Sequence, residues 1–249
     1  MKIAQPKILF SDDSIIVIDK PAHMPSTNLK AGESKTLAAW LLSKYPEQAK
    51  LPSGDLQAGL IARLDNETSG VIVAARTEES YKYLREIWTT KRVNKEYTAL
   101  VIGKTLKNGR IKTPIAHHPK KKDRMIVCND PSDSRKYKGR NALTDFTNLK
   151  YYLLEGRLIT ATYSLLNVKI RAGVRHQIRV HMSSIGHPVA GDKIYRSREF
   201  IGKDNLKIGR HFLHSSTTIF RHPISNEMIT FTAPLPDKLS RAVDTLTEI

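Results

Sequence analysis

Cysteine is nearly absent: Cys128 stands alone among 249 residues, so no disulfide can form within the chain. A lone thiol fits a reducing compartment, and the cytoplasm is the expected location. Long apolar runs are also missing. The longest, such as Ile15–Ile18, fall far short of the roughly 20 residues a membrane helix needs. The opening Met1–Pro6 has no apolar core of the signal-peptide kind, and no membrane partner is expected. The nine histidines have neither an HExxH spacing nor paired cysteines around them, and no acidic cluster accompanies them. A glycine-rich phosphate loop and a dinucleotide fingerprint are missing too. The expectation is no metal and no cofactor. Negative charge is scarce: 24 Asp and Glu face 41 Lys and Arg, a formal net charge of +17. A field of that sign draws polyanions, and nucleic acid fits better than a membrane because no basic helix carries a wide apolar face. Charge alone does not separate RNA from DNA.

A hydrophobic content of 40% without low-complexity tracts describes an ordered globular chain. Residues 7–10 and 14–19 read as strands about a Ser11-Asp12-Asp13 turn. Helices are expected over 35–45 and, capped by Thr77, to about 91. Lys95–Ile102 reads as a buried strand ended by Gly103. Residues 104–140 are rich in Lys and Arg. One strand, 125–128, interrupts a stretch that reads as a solvated loop or as an arm that contacts phosphate. Long strands follow at 142–154 and 157–170 about a Glu155-Gly156 turn, then a helix over 175–185 stopped by Gly186 and Pro188. Strands near 211–220 and 228–233 and a last helix from Asp237 to about 246 complete the pattern. Strands outnumber helices at hairpin-like spacings, so the expected class is α+β, a mostly antiparallel mixed sheet with flanking helices.

The chain is organised around residues 59–76. An apolar lead, Leu60-Ile61, enters Arg63-Leu64-Asp65, a turn-forming group follows in Asn66–Gly70, and Val71-Ile72-Val73 resumes a strand. Read locally, Asp65 is a turn residue, because Asp bonds readily to nearby backbone. It is also a carboxylate ionised at neutral pH, able to act as nucleophile or base without an activator. Arg63 is two positions away, yet the neighbouring charge is better placed to meet phosphate than to pair with Asp65.

The run Arg63-Leu64-Asp65-Asn66-Glu67-Thr68-Ser69-Gly70 resembles the signature of the RluA-type RNA pseudouridine synthase family. Asp19–Pro25, Lys95–Ala99, His176–His181, Gly186–Tyr195 and Phe231–Pro236 extend the resemblance along most of the chain. The resemblance implies a pseudouridine synthase catalytic domain with Asp65 as the catalytic residue. It implies that Tyr97 stacks on the target uracil and assists proton removal, and that Arg179 pairs with the aspartate. Ile178 then packs near the base. By position rather than by resemblance, Arg63 and Lys95 are the further substrate-binding candidates, Arg63 facing phosphate and Lys95 supporting the same pocket or contacting phosphate. Taken alone, Tyr97 is a packing residue and Arg175 with Arg179 form one basic helix face in water. Two departures stand out. Ala62 occupies a position where these enzymes usually carry histidine, and Gly173-Val174-Arg175 replaces the usual Gly-Arg-Thr or Gly-Arg-Ser.

The expected function is isomerisation of specific uridines to pseudouridine in structured RNA, ribosomal or transfer. The alternative, motivated by the two departures, is a catalytically inactive RNA-binding or RNA-folding protein on the same scaffold. One catalytic domain is expected over 1–249, with no separate N-terminal RNA-binding domain and the basic region 104–140 inside it. RNA is the expected partner, with no obligate protein partner.

Overall fold

The computed structural model describes residues 4–30, 32–155, 160–196 and 206–249. In chain order these form β1 (Lys7–Ser11), β2 (Ile15–Lys20), α1 (Leu37–Lys44), α2 (Gly54–Gln57), β3 (Ser69–Ala75), α3 (Glu78–Thr89) and β4 (Asn94–Ile102). Then come β5 (Asn108–Ile111), β6 (Ile115–His117), β7 (Met125–Val127), α4 (Pro131–Lys136), β8 (Thr144–Leu154) and β9 (Ala161–Ile170). The chain closes with α5 (Gln177–Ser184), β10 (Leu213–Arg221), β11 (Met228–Thr232), α6 (Asp237–Asp244) and β12 (Thr247–Glu248). The class is α+β with mostly antiparallel pairing, as expected. The contacts divide the chain into two compact units: residues 1–95 with 215–234, and residues 96–214 with 235–249.

In the first unit the strands run β1-β2-β3-β10, with β11 paired to β10. β2 lies antiparallel to β3 from Ile15 opposite Ala75 to Lys20 opposite Gly70. Side chains alternate across a strand, so the run Ile15-Ile16-Val17-Ile18 feeds both faces at once. Ile15 and Val17 join Val71, Val73, Phe220 and the α3 residues Leu84 and Ile87. Ile16 and Ile18 join Ile72, Leu60 and the α1 residues Leu37 and Leu41. A sheet covered on both faces needs a continuous apolar strand, which explains why β2 shows no polar alternation. Thr36 and Thr77 cap α1 and α3, their side chains accepting from the Ala39 and Ser80 N–H groups. Both helices end a little earlier than their sequence patterns indicate.

In the second unit β4, β9, β8 and β12 follow one another, β5 pairs with β8, and β6 with β7 form a separate hairpin. Residues 104–140 are more ordered than a solvated loop. Besides the strand at 125–127 they contain β5, β6 and α4. The signal for α4 is Asp130-Pro131: the Asp130 carboxylate accepts from the Ser132 and Asp133 N–H groups, and proline suits a first helical position. Lysine density masked it. The β8–β9 pair matches expectation from Leu154 opposite Ala161 to Thr144 opposite Ile170, and Gly156 of the expected turn lies outside the described residues. α5 starts later than expected, at Gln177, because His176 takes a left-handed conformation with φ 56°. Arg175 therefore precedes the helix, is exposed, and bonds the Lys122 carbonyl through Nη1 at 3.2 Å. Arg175 and Arg179 do not share a helix face.

Candidate active site

Each unit holds part of the expected set: Arg63, Asp65 and Lys95 in the first, Tyr97, Ile178 and Arg179 in the second.

Asp65 sits on the turn that enters β3. The turn is closed by its own backbone, the Thr68 N–H donating to the Asp65 carbonyl at 3.0 Å. Three contacts hold the turn from outside. Ser26 Oγ donates to the Leu64 carbonyl at 2.9 Å and accepts from the Leu64 N–H at 3.0 Å. Lys20, fully buried, donates through Nζ to the carbonyls of Pro21 at 2.9 Å, Met24 at 2.8 Å and Asn66 at 3.4 Å. Arg85 Nη1 holds the Ile61 carbonyl at 3.0 Å on the approach. A buried ammonium is tolerated where carbonyls replace its hydration, and here those carbonyls belong to the two segments that frame Asp65. Gly70 follows with φ 115°, and a Cβ there would lie 2.1 Å from the Ser215 carbonyl oxygen. Only glycine lets β3 begin this close to Ser215. The result is a half-buried carboxylate on a rigid turn, with Arg63 exposed two residues before it.

Lys95 and Tyr97 occupy alternate positions of β4 and are 8% and 7% exposed. Lys95 is unlike Lys20. No hydrogen bond or ion pair meets its ammonium among the described residues, and burial pushes its pKa down to about 8.

In α5, Ile178 and Arg179 are both buried. Arg179 makes a side-on ion pair with Asp192, Nε to Oδ2 at 2.6 Å and Nη2 to Oδ1 at 3.0 Å. Asp192 also accepts the Ile194 and Tyr195 N–H groups at 2.8 and 3.1 Å. Burial by itself raises the Asp192 pKa. The bonds and charge of Arg179, with His211 and the Ile194 N–H, outweigh it and hold the carboxyl below its ordinary value. The Arg179 guanidinium stacks 5.1 Å from the Tyr195 ring centre. Sequence reasoning passed over Asp192, Tyr195, Ser26 and the role of Lys20. The Gly191-Asp192 and Lys20-Pro21 motifs were visible, but no periodicity connects either to its tertiary partner.

Basic side chains gather on the β6–β7 hairpin and α4. Lys112, Lys120, Lys121, Lys122, Arg135, Lys136, Lys138 and Arg140 are exposed. The hairpin turn is held by His118, whose Nδ1 accepts the Lys120 and Lys121 N–H groups at 3.1 Å each. No group of three or more His, Cys, Asp or Glu side chains is placed to hold a metal among the described residues. No helix among them is long and apolar enough to cross a membrane.

A turn carrying Asp65 and Glu67, its backbone held by Ser26 and Lys20, thus stands on an α+β scaffold with exposed basic segments. Residues 14–184 match the family described as RNA pseudouridylate synthase. The chain is 34% identical over 249 aligned residues to a ribosomal large subunit pseudouridine synthase D of Xanthomonas campestris, covering 97% of this chain and 69% of that one. It is 35% identical to a protein of the same name from Nitrosomonas europaea, covering 94% and 63%. It thus spans about two thirds of the length of these relatives. In fold it is similar to the human RNA pseudouridylate synthase domain containing 1, with a TM-score of 0.73 at 22% identity, covering 98% and 89% of the two chains. A second human structure, domain containing 4, aligns with a TM-score of 0.68 at 20% identity, covering 96% and 93%. The chain belongs to the RNA pseudouridine synthase family, whose members are isomerases acting on RNA.

Proposed function

We propose that this protein converts specific uridines of structured RNA to pseudouridine, with Asp65 as the catalytic residue. The observation that carries the reading is the turn itself. Lys20 and Ser26 fix the backbone on both sides of Asp65, which leaves its carboxylate oriented and half-exposed. Asp65 attacks the nucleoside or removes a sugar proton, and the C1′–N1 bond breaks. The uracil turns and rejoins C1′ through C5. The C5 proton is lost and N1 gains one, so the reaction is atom-balanced and requires no redox partner.

Tyr97 is the stacking residue for the extruded uracil. Stacking contributes about 1–3 kcal/mol per base, comparable with the few kcal/mol that flipping costs. Ile178 packs against the base, and Arg179 supplies the counter-charge of the reaction. Arg63 and Lys95 bind substrate phosphate. For Lys95 the support is physical: a buried ammonium that meets no partner among the described residues gains most when an anion arrives. The exposed cations of the β6–β7 hairpin and α4 grip the RNA backbone. Ribosomal RNA is the favoured substrate, because the bacterial relatives are named for the large ribosomal subunit; transfer RNA is the second choice. The cytoplasm is the proposed compartment, and no obligate protein partner is invoked.

Carbodiimide mapping of RNA from cells with and without the protein tests this reading. Modified uridines should vanish on deletion, return with the wild-type chain, and stay absent with Asp65→Ala. Full rescue by Asp65→Ala removes the catalytic assignment and favours an RNA-folding role.

A further inference from the structure

The ion pair between Arg179 and Asp192 has features that packing alone does not require. Its two side chains are 5% and 0% exposed. Replacing a buried pair with apolar groups is often neutral or stabilising, so stability is a weak reason to keep one. The geometry is also one-sided. Asp192 takes the Nε and Nη2 donors of the guanidinium and leaves Nη1 outside the pair. The carboxylate is itself fixed by two backbone N–H groups, those of Ile194 and Tyr195. The guanidinium carbon lies over the Tyr195 ring, 5.1 Å from its centre. An arginine gripped along one edge and set over an aromatic ring has lost most of its rotamer freedom.

Tyr195 is anchored in turn. Its hydroxyl accepts the Met125 N–H of β7 at 2.8 Å and lies 2.7 Å from His176 Nδ1. Its carbonyl accepts from Ser183 Oγ at 2.6 Å. The residues that hold the guanidinium are thus tied to α5 and to the basic β6–β7 hairpin.

We propose that Asp192 is a positioning residue: it fixes the Arg179 guanidinium in the orientation that the reaction uses, and it does so without touching the RNA. Tyr195 is the second wall of this holder. The proposal rests on the role given to Arg179 above.

The full chain tests it in single-turnover assays on total RNA from cells lacking the protein, with tritium release from C5-labelled uridine as readout. Asp192→Asn keeps the shape of the side chain and removes its charge. The expected result is a fall in kcat of about 100-fold, the scale of a misplaced catalytic group, with RNA affinity unchanged. Arg179→Lys should show a similar loss. The double variant should be no worse than the poorer single one, because both changes remove the same oriented fork. Independently of activity, the Arg179 Nε–H resonance, assigned by its loss in Arg179→Lys, should exchange slowly with solvent in the wild type and rapidly in Asp192→Asn.

Wild-type kcat in a folded Asp192→Asn overturns the proposal, as do multiplicative losses in the double variant or a loss confined to RNA affinity. If Arg179→Lys retains full kcat, the role of Arg179 falls and the proposal with it. If Arg179→Lys is impaired and Asp192→Asn is not, only the proposal falls. Should Asp192→Asn fail to fold, Asp192→Glu keeps the charge, shifts the guanidinium by one methylene, and is judged by the same criteria.

Discussion

The turn that carries Asp65 and the holder around Arg179 solve opposite problems. At the turn the charged group is half-buried, and the backbone on either side of it is immobilised. The agents are Ser26, Lys20 and Arg85, each bonded to a backbone carbonyl. At α5 the charged group itself is buried, so the side chain is immobilised directly, by a carboxylate that is buried with it. The first arrangement acts through backbone carbonyls. In the second, the functional residue is also a structural one.

That contrast can be broken experimentally, beginning where the effect is greatest. Asp192→Ala strands a buried guanidinium, and the expected cost is about 3–5 kcal/mol of stability by urea denaturation. A loss below about 1 kcal/mol would show that water reaches Arg179 freely. Lys20→Met leaves the Pro21, Met24 and Asn66 carbonyls short of a donor and should cost about 1–3 kcal/mol. It should also lower activity, because the turn under Asp65 is loosened.

Lys95→Met should act in the other direction. The buried ammonium, with its pKa lowered to about 8, holds its proton less well in the folded than in the unfolded chain. The wild type therefore gains stability as pH rises from about 8 towards the unfolded value near 10.4. Removing the charge should stabilise the protein at pH 7, on the order of 1–3 kcal/mol, abolish that rise and weaken RNA binding. Unchanged affinity would argue against phosphate at Lys95.

A smaller effect is expected at His181. Burial, opposed by the Thr113 carbonyl, lowers its pKa. It is neutral in the fold, with Nδ1 2.8 Å from Thr144 Oγ1 and Nε2 2.9 Å from the Thr113 carbonyl. The unfolded chain takes up the proton more readily, so stability should fall as pH drops below about 6.5. Midpoints of urea unfolding at pH 7.5 and 5.5 read this directly, and His181→Gln should flatten the difference. The last variant is Asp65→Asn, which keeps the shape of the side chain: activity should be lost while circular dichroism still shows a folded chain.

Much of the fold was legible because local signals agreed with it. The β2 run, the Thr36 and Thr77 caps and the β8–β9 pair each follow from residue type and spacing within a few positions. Residues 104–140 were less legible. Lysine density reads as a solvated loop, whereas Asp130 capping α4 and His118 holding the hairpin turn supply order that charge counting misses. His176 is another such case: a left-handed residue delays α5 and removes Arg175 from the helix face, and helical periodicity contains no hint of it.

By itself the sequence determined the α+β class, the basic character and the position of Asp65 on a turn beside β3. Those properties depend on composition, on alternation along strands and on turn chemistry, all of which act over a few residues. Only the tertiary structure decided that Lys20 braces that turn from 46 positions away, that Lys95 is buried with its pKa lowered, and that Arg179 is held by Asp192. These depend on which groups lose their water when the chain packs. A buried charge must then find its compensation wherever the fold brings a partner, however distant in sequence.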